Sequence, residues 1–148
     1  MVSRLRRSMK KILVAMNGRN AAWGALSHAC SLAKRIDVQL NVLLVNPPDR
    51  RHLSGSEIEV NDEIRKKLEL LLETAKTEGI SVNYYVTEGI YDDEVISFIN
   101  NNKITLLVYE TLEGDMRPAN REFAASLSTL RHRVACTIEV VAPKKAEI

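Results

Sequence analysis

Lys11-Ile12-Leu13-Val14-Ala15-Met16, followed by the turn pair Asn17-Gly18, is the stretch that decides the fold. It is a short apolar run rich in β-formers, with no alternation of apolar and polar positions. That pattern belongs to a strand covered on both faces, as in a parallel sheet. Beyond it the period changes. Ala22, Ala25, Leu26, Ala29, Ala33 and Ile36 recur at helical spacing as one apolar stripe, mostly alanine, which lets the helix lie close to a sheet. Residues 38–45 form a second buried strand, stopped by Pro47-Pro48.

The alternation then repeats. A polar stretch, 49–55, leads to a helix with Ile64, Leu68, Leu71, Leu72 and Ala75 on its core face and Gly79 at its C-cap. Residues 81–87 are a third strand, nearer an edge. A short helix carries Val95, Ile96, Phe98 and Ile99, and 104–109 is a fourth buried strand. A helix with Phe123, Leu127, Leu130 and Val134 precedes a last strand at 136–142. The order β-α-β-α-β-α-β-α-β predicts one α/β domain, an open five-stranded parallel sheet with helices on both faces.

Composition agrees with one soluble domain: 148 residues, 45% hydrophobic and 27% charged. No apolar run approaches the ~20 residues of a membrane span, and no signal-peptide pattern is present. Two cysteines, Cys30 and Cys136, read as reduced thiols in a cytoplasmic protein. The net charge of +2 hides an asymmetry, because Arg4, Arg6, Arg7, Lys10 and Lys11 precede the first acid. The expected division is a basic extension at 1–10, a domain at 11–143 and a charged tail at 144–148. A solvated terminus explains the basic head; an anionic surface is the contact it suggests, and no DNA partner is expected.

In open parallel sheets, ligands bind beyond the carboxyl ends of the strands, where strand order reverses. The loops at 17–20 and 110–121 are the candidates. Neither a P-loop nor a GxGxxG pattern follows the first strand.

These phrases, in this order, resemble the universal stress protein family. The likeness runs from Lys10 to Pro143. It rests on Lys11–Gly18 (the family's ILVPVDGS), on the alanine-rich helix ending Leu32-Ala33-Lys34-Arg35, and on Val42-Leu43-Leu44-Val45 before Pro47-Pro48. Glu88-Gly89, Leu107-Val108 and Leu130-Arg131-His132 continue it. The resemblance implies sheet order 3-2-1-4-5 and the adenine nucleotide alpha hydrolase-like fold. It also implies an ATP motif, G-x2-G-x9-G-[ST], after the fourth strand, because phosphates need close approach of backbone N–H groups. Here the first two motif glycines fall on Glu110 and Glu113, and the glycine-serine pair falls near Phe123-Ala124 or, with a small shift, on Ala125-Ser126, neither of which supplies the glycine. The family's proline and aspartate in the first loop correspond to Ala15 and Asn17, and Val45 is retained at the adenine-side contact. If a nucleotide binds, the resemblance and the neighbouring charges assign it Ala15, Asn17, Gly18, Val45, Arg117 and Arg121.

Other constellations carry less. His28, His52 and His132 lack metal-pair spacing, and no metal is expected. Asp92-Asp93-Glu94 opens a helix, where negative charge is favourable. Ser126, Ser128 and Thr129 have no base placed beside them by sequence. Trp23, the single tryptophan, opens the first helix, where it covers a helix–sheet interface or stacks on a ligand. The expectation is a regulatory domain without catalytic residues and without a cofactor, ATP or AMP being the rival occupant. The rival function is a nucleotide switch or slow ATPase with a noncanonical phosphate grip. The partners expected are a second copy, paired through Ile138, Val140 and Val141 of the last strand, and an unidentified protein.

Overall fold

The computed structural model describes residues 10–18, 21–48, 55–111 and 118–142, with side chains described throughout except at 55–61 and 118–123. Among the described residues nine elements alternate: β1 (Lys10–Met16), α1 (Trp23–Arg35), β2 (Val38–Asn46), α2 (Gly55–Thr77), β3 (Ser81–Glu88), α3 (Tyr91–Asn102), β4 (Leu106–Glu110), α4 (Pro118–Arg133) and β5 (Thr137–Val141). The sheet is wholly parallel, in the order β3-β2-β1-β4-β5. That is the order implied by the family likeness, with the reversal between β1 and β4.

Side chains of β1 and β2 alternate between two buried layers. Ile12, Val14 and Met16 meet Ala25, Leu26 and Ala29 of α1 and Leu68, Leu72 and Ala75 of α2. Leu13 and Ala15 meet Val95, Ile96 and Ile99 of α3 and Leu130 of α4. Burial on both faces is why these strands read as continuous apolar runs. The one buried polar residue among those described, Asn41, donates to the Ile12 carbonyl and accepts from Asn83, bridging three adjacent strands.

Two helix ends explain where sequence boundaries shift. At the end of α2, Gly79 takes left-handed angles (φ 88°), its N–H donates to Lys76 O, and Ile80 N–H donates to Ala75 O. This is a Schellman cap, with the Ile80–Ala75 apolar contact that accompanies it. The same pattern closes α3 around Lys103 (φ 55°), with Ile104 N–H donating to Ile99 O. Ile104, expected in the fourth strand, therefore belongs to the cap, and β4 runs from Leu106 to Glu110. Ile36 and Leu71, expected on core faces, stand 48% and 40% exposed. Ile36 has left the helix in extended conformation, and Leu71 lies at the margin of the α2 stripe.

Candidate functional site

The carboxyl ends of β1 and β4 meet where the strand order reverses, which is the place a doubly wound sheet offers for a ligand. Alternation along each strand divides this region between the two faces. Ala15, Val45 and Tyr109 point to the α3–α4 side. Glu110, one residue on, turns to the α1 side.

On the α3–α4 side the floor is covered by the chain's own groups. Ala15 and Val45 are only 5% and 2% exposed. Tyr91, at the start of α3, packs on this layer and donates its hydroxyl to the Ala15 carbonyl at 3.4 Å. Beside it, Ser126 of α4 donates to Asp92 of α3 and also reaches the buried Tyr109. Burial, reinforced by Tyr109 and then Asp92, pushes the Tyr91 phenol far above its ordinary range. Tyr109 is raised as well, by burial first, with the Ser126 hydrogen bond opposing and Asp92 reinforcing. Both phenols are neutral donors at physiological pH and no use as bases.

On the α1 side, the Ala25 N–H donates to Glu110 Oε1 at 2.8 Å. The cap residue of α1, Ala22, takes left-handed angles (φ 53°, ψ 41°) and supplies no side-chain acceptor. Glu110 thus satisfies one of the open N–H groups of the first turn from another strand, with the favourable sign for a helix N-terminus. Farther along the same face, His28 Nε2 and Glu139 Oε2 lie 2.7 Å apart, tying α1 to β5.

The predicted site residues are distributed accordingly. Ala15 and Val45 come together; Asn17 and Gly18 follow at the end of β1, half-buried and exposed. Glu113 and Arg117 lie outside the described residues, as do His52 and the basic head up to residue 9. Arg121 and Phe123 are on α4 with their side chains outside the description, and Ala124 is exposed there. Ile138 and Val141 are half-buried on β5 and Val140 is exposed. Trp23 lies on the α1–α2 face with the Lys67 ammonium 4.5 Å above its ring, so it stands across the sheet from Ala15 and Val45. Asp92 and Glu94, read as helix-opening charge, each accept a tertiary hydrogen bond as well, Glu94 from Thr87 at 2.6 Å. Gly89 makes room for that carboxylate, since a Cβ there would lie 2.6 Å from Glu94 Oε2.

Sequence reading missed Tyr91, Tyr109 and the Glu110–Ala25 and His28–Glu139 pairs. The signal available was the switch-point rule applied to α3 as well as to the loops. Burial raises both thiols, Cys30 and Cys136, which suits packing rather than nucleophilic attack. Among the described residues no three His, Cys, Asp or Glu side chains gather as a metal site, and no helix is long and apolar enough to cross a membrane.

Comparison with known proteins agrees with this architecture. Universal stress protein UspA from Lactobacillus plantarum superposes with a TM-score of 0.67 at 17% identity, over 89% of this chain and 97% of that one. A universal stress protein in complex with cAMP gives 0.62 at 16% identity, over 90% and 97%. One from Archaeoglobus fulgidus in complex with dAMP gives 0.60 at 13%, over 89% and 96%. No curated protein matches by sequence. The profile of the Universal stress protein family matches residues 9–114, a stretch that includes β1 through β4, and the chain belongs to that family.

Proposed function

We propose that this chain is a regulatory member of its family that acts through protein contacts as a homodimer, and that it does not hold ATP by the family's usual grip. The observation that carries this reading is the Tyr91 hydroxyl on the Ala15 carbonyl, over a floor in which Ala15 and Val45 are buried. Ala15, matched to the family's first-loop proline, is thereby engaged by the chain's own tyrosine, and Val45, at the adenine-side position, is buried. Glu110 stands in place of the first motif glycine with its carboxylate on the start of α1, so this position has a Cβ where a phosphate loop needs close approach of bare backbone.

A second reading is an adenine-nucleotide switch or slow ATPase. Its support is the pair of structural relatives described with cAMP and dAMP. In that reading Tyr91 moves aside and Arg117 and Arg121 supply the charge.

Calorimetric titration with ATP and AMP, with and without magnesium, separates the two. The expected result is no saturable binding to the parent chain up to millimolar nucleotide. Tight ATP binding that is lost when the γ-phosphate is absent would overturn the first reading. Replacing Glu110 and Glu113 by glycine together with Tyr91→Ala, Asn17→Asp, Phe123→Gly and Ala124→Ser is expected to create measurable ATP affinity.

A further inference from the structure

The two outer strands of the sheet, β3 and β5, are not alike. β5 is five residues long and the Glu139 carboxylate on it is engaged with His28. β3 is eight residues long, pairs with β2 along its whole length, and has no strand on its other side among the described residues. Soluble proteins blunt such an edge with a lysine, a proline, a bulge or a very short strand. Residues 81–87 contain no charge and no proline, and the register with β2 is unbroken. Tyr85 and Val86 are 40% and 50% exposed, and Ile90, just beyond, is exposed too.

The direction of the free backbone groups follows from one hydrogen bond. Gly89 N–H donates to Asn46 O of β2 at 2.9 Å, so the odd-numbered residues of β3 face β2. Val82, Tyr84, Val86 and Glu88 then aim their N–H and C=O groups outward. The charges that act on Tyr84 are Glu69 and Arg65, one helical turn apart on α2. Among the described residues, the Tyr84 hydroxyl is the buried side-chain polar atom with no hydrogen-bond partner.

We propose that the β3 edge is a self-association surface that takes the β3 edge of a second copy, antiparallel about a two-fold axis at Tyr84. The strand is self-complementary about that axis. Val82 meets the second copy's Val86, Ser81 meets its Thr87, and Tyr84 meets its counterpart, while the single charge, Glu88, extends past the pairing and opposes no like charge. The same axis runs the two α2 helices antiparallel, which sets Arg65 of each copy opposite Glu69 of the other. This surface is independent of any pairing at β5. With both edges paired, assemblies grow past the dimer, because two separate two-fold interfaces on one sheet do not close.

The test is amide hydrogen exchange of the full chain at sub-micromolar and at tens of micromolar protein, read at Val82, Tyr84 and Val86. The expected result is slowing of about tenfold or more at the higher concentration, retained in Val140→Pro and lost in Val86→Pro. Proline at 86 removes an outward donor and leaves the β2 ladder intact, a position edge strands tolerate. Equal rates at the two concentrations in the parent would overturn the proposal, whether or not Val86→Pro folds. Slowing that disappears in Val140→Pro would assign the protection to β5 and overturn it equally. So would slowing that appears only when another protein is added.

Discussion

Tyr91 shows how one side chain in this crevice couples burial to pH. Its phenol is held protonated well above the range of an unfolded tyrosine, about 10, chiefly because burial disfavours the phenolate. Above that pH the unfolded chain has lost a proton that the native state keeps, so stability falls as pH rises. Tyr84 and Tyr109 act in the same direction, and the raised thiols start the decline near 9. Tyr91→Phe is expected to flatten the alkaline limb above pH 10 by one proton, about 1.4 kcal/mol per pH unit. Denaturant unfolding of parent and variant at a series of pH values measures it; parallel limbs would refute the account. Glu110 makes a different use of its place. A side-chain acceptor at a helix start is worth about 0.5–2 kcal/mol, and here it comes from the adjacent layer because Ala22 has none to offer.

Among elements, the two Schellman-capped helices differ in one residue. α2 closes on Gly79 and α3 on Lys103, and both residues are left-handed. An L residue with a Cβ has that conformation at a cost of about 1–2 kcal/mol, which glycine avoids. Part of the gain is returned because glycine has more freedom to lose on folding. Lys103 is exposed, so its side chain gives up little packing. Lys103→Gly is therefore expected to stabilise by about 0.5–1 kcal/mol, a rise in melting temperature of roughly 2 °C for a chain of this size. Thermal unfolding followed by circular dichroism checks this, with Gly79→Ala as the matched control in the opposite direction. The asparagine run 100–102 pointed to a helix end but not to its last residue. Which residue turns left-handed depends on where Ile104 must land to pack on Ile99.

At the scale of the molecule, the edge at β5 can be probed without cutting the sheet. Thr137 N–H donates to Thr105 O and Thr111 N–H donates to Val141 O, so odd-numbered residues of β5 face β4. Ile138 and Val140 point their backbone groups outward, and Val140 is exposed. Val140→Pro thus deletes an outward donor and spares the ladder with β4. Light scattering is expected to show loss of β5-mediated dimer in the variant while its circular dichroism stays native. An unchanged mass distribution at tens of micromolar would remove β5 from the proposed homodimer.

The element order, the parallel sheet and, Ile36 and Leu71 apart, the described core faces of the helices were legible in the residues alone, because periodicity records how each element is buried, and burial is a property of single elements. The strand order came from the family likeness of phrases such as Lys11–Gly18, and the structure has the same order. The site was legible only as a location. Whether Glu110 points into a crevice or onto the start of α1 depends on a partner 85 positions away, and whether His28 stands alone depends on one 111 positions away. Trp23, beside the loop in sequence, is carried to the far face by the turn at Ala22, and Tyr91 closes over Ala15 from 76 residues downstream. Side-chain direction at the end of a strand is set by which neighbours the sheet brings alongside, and only the tertiary structure decides that.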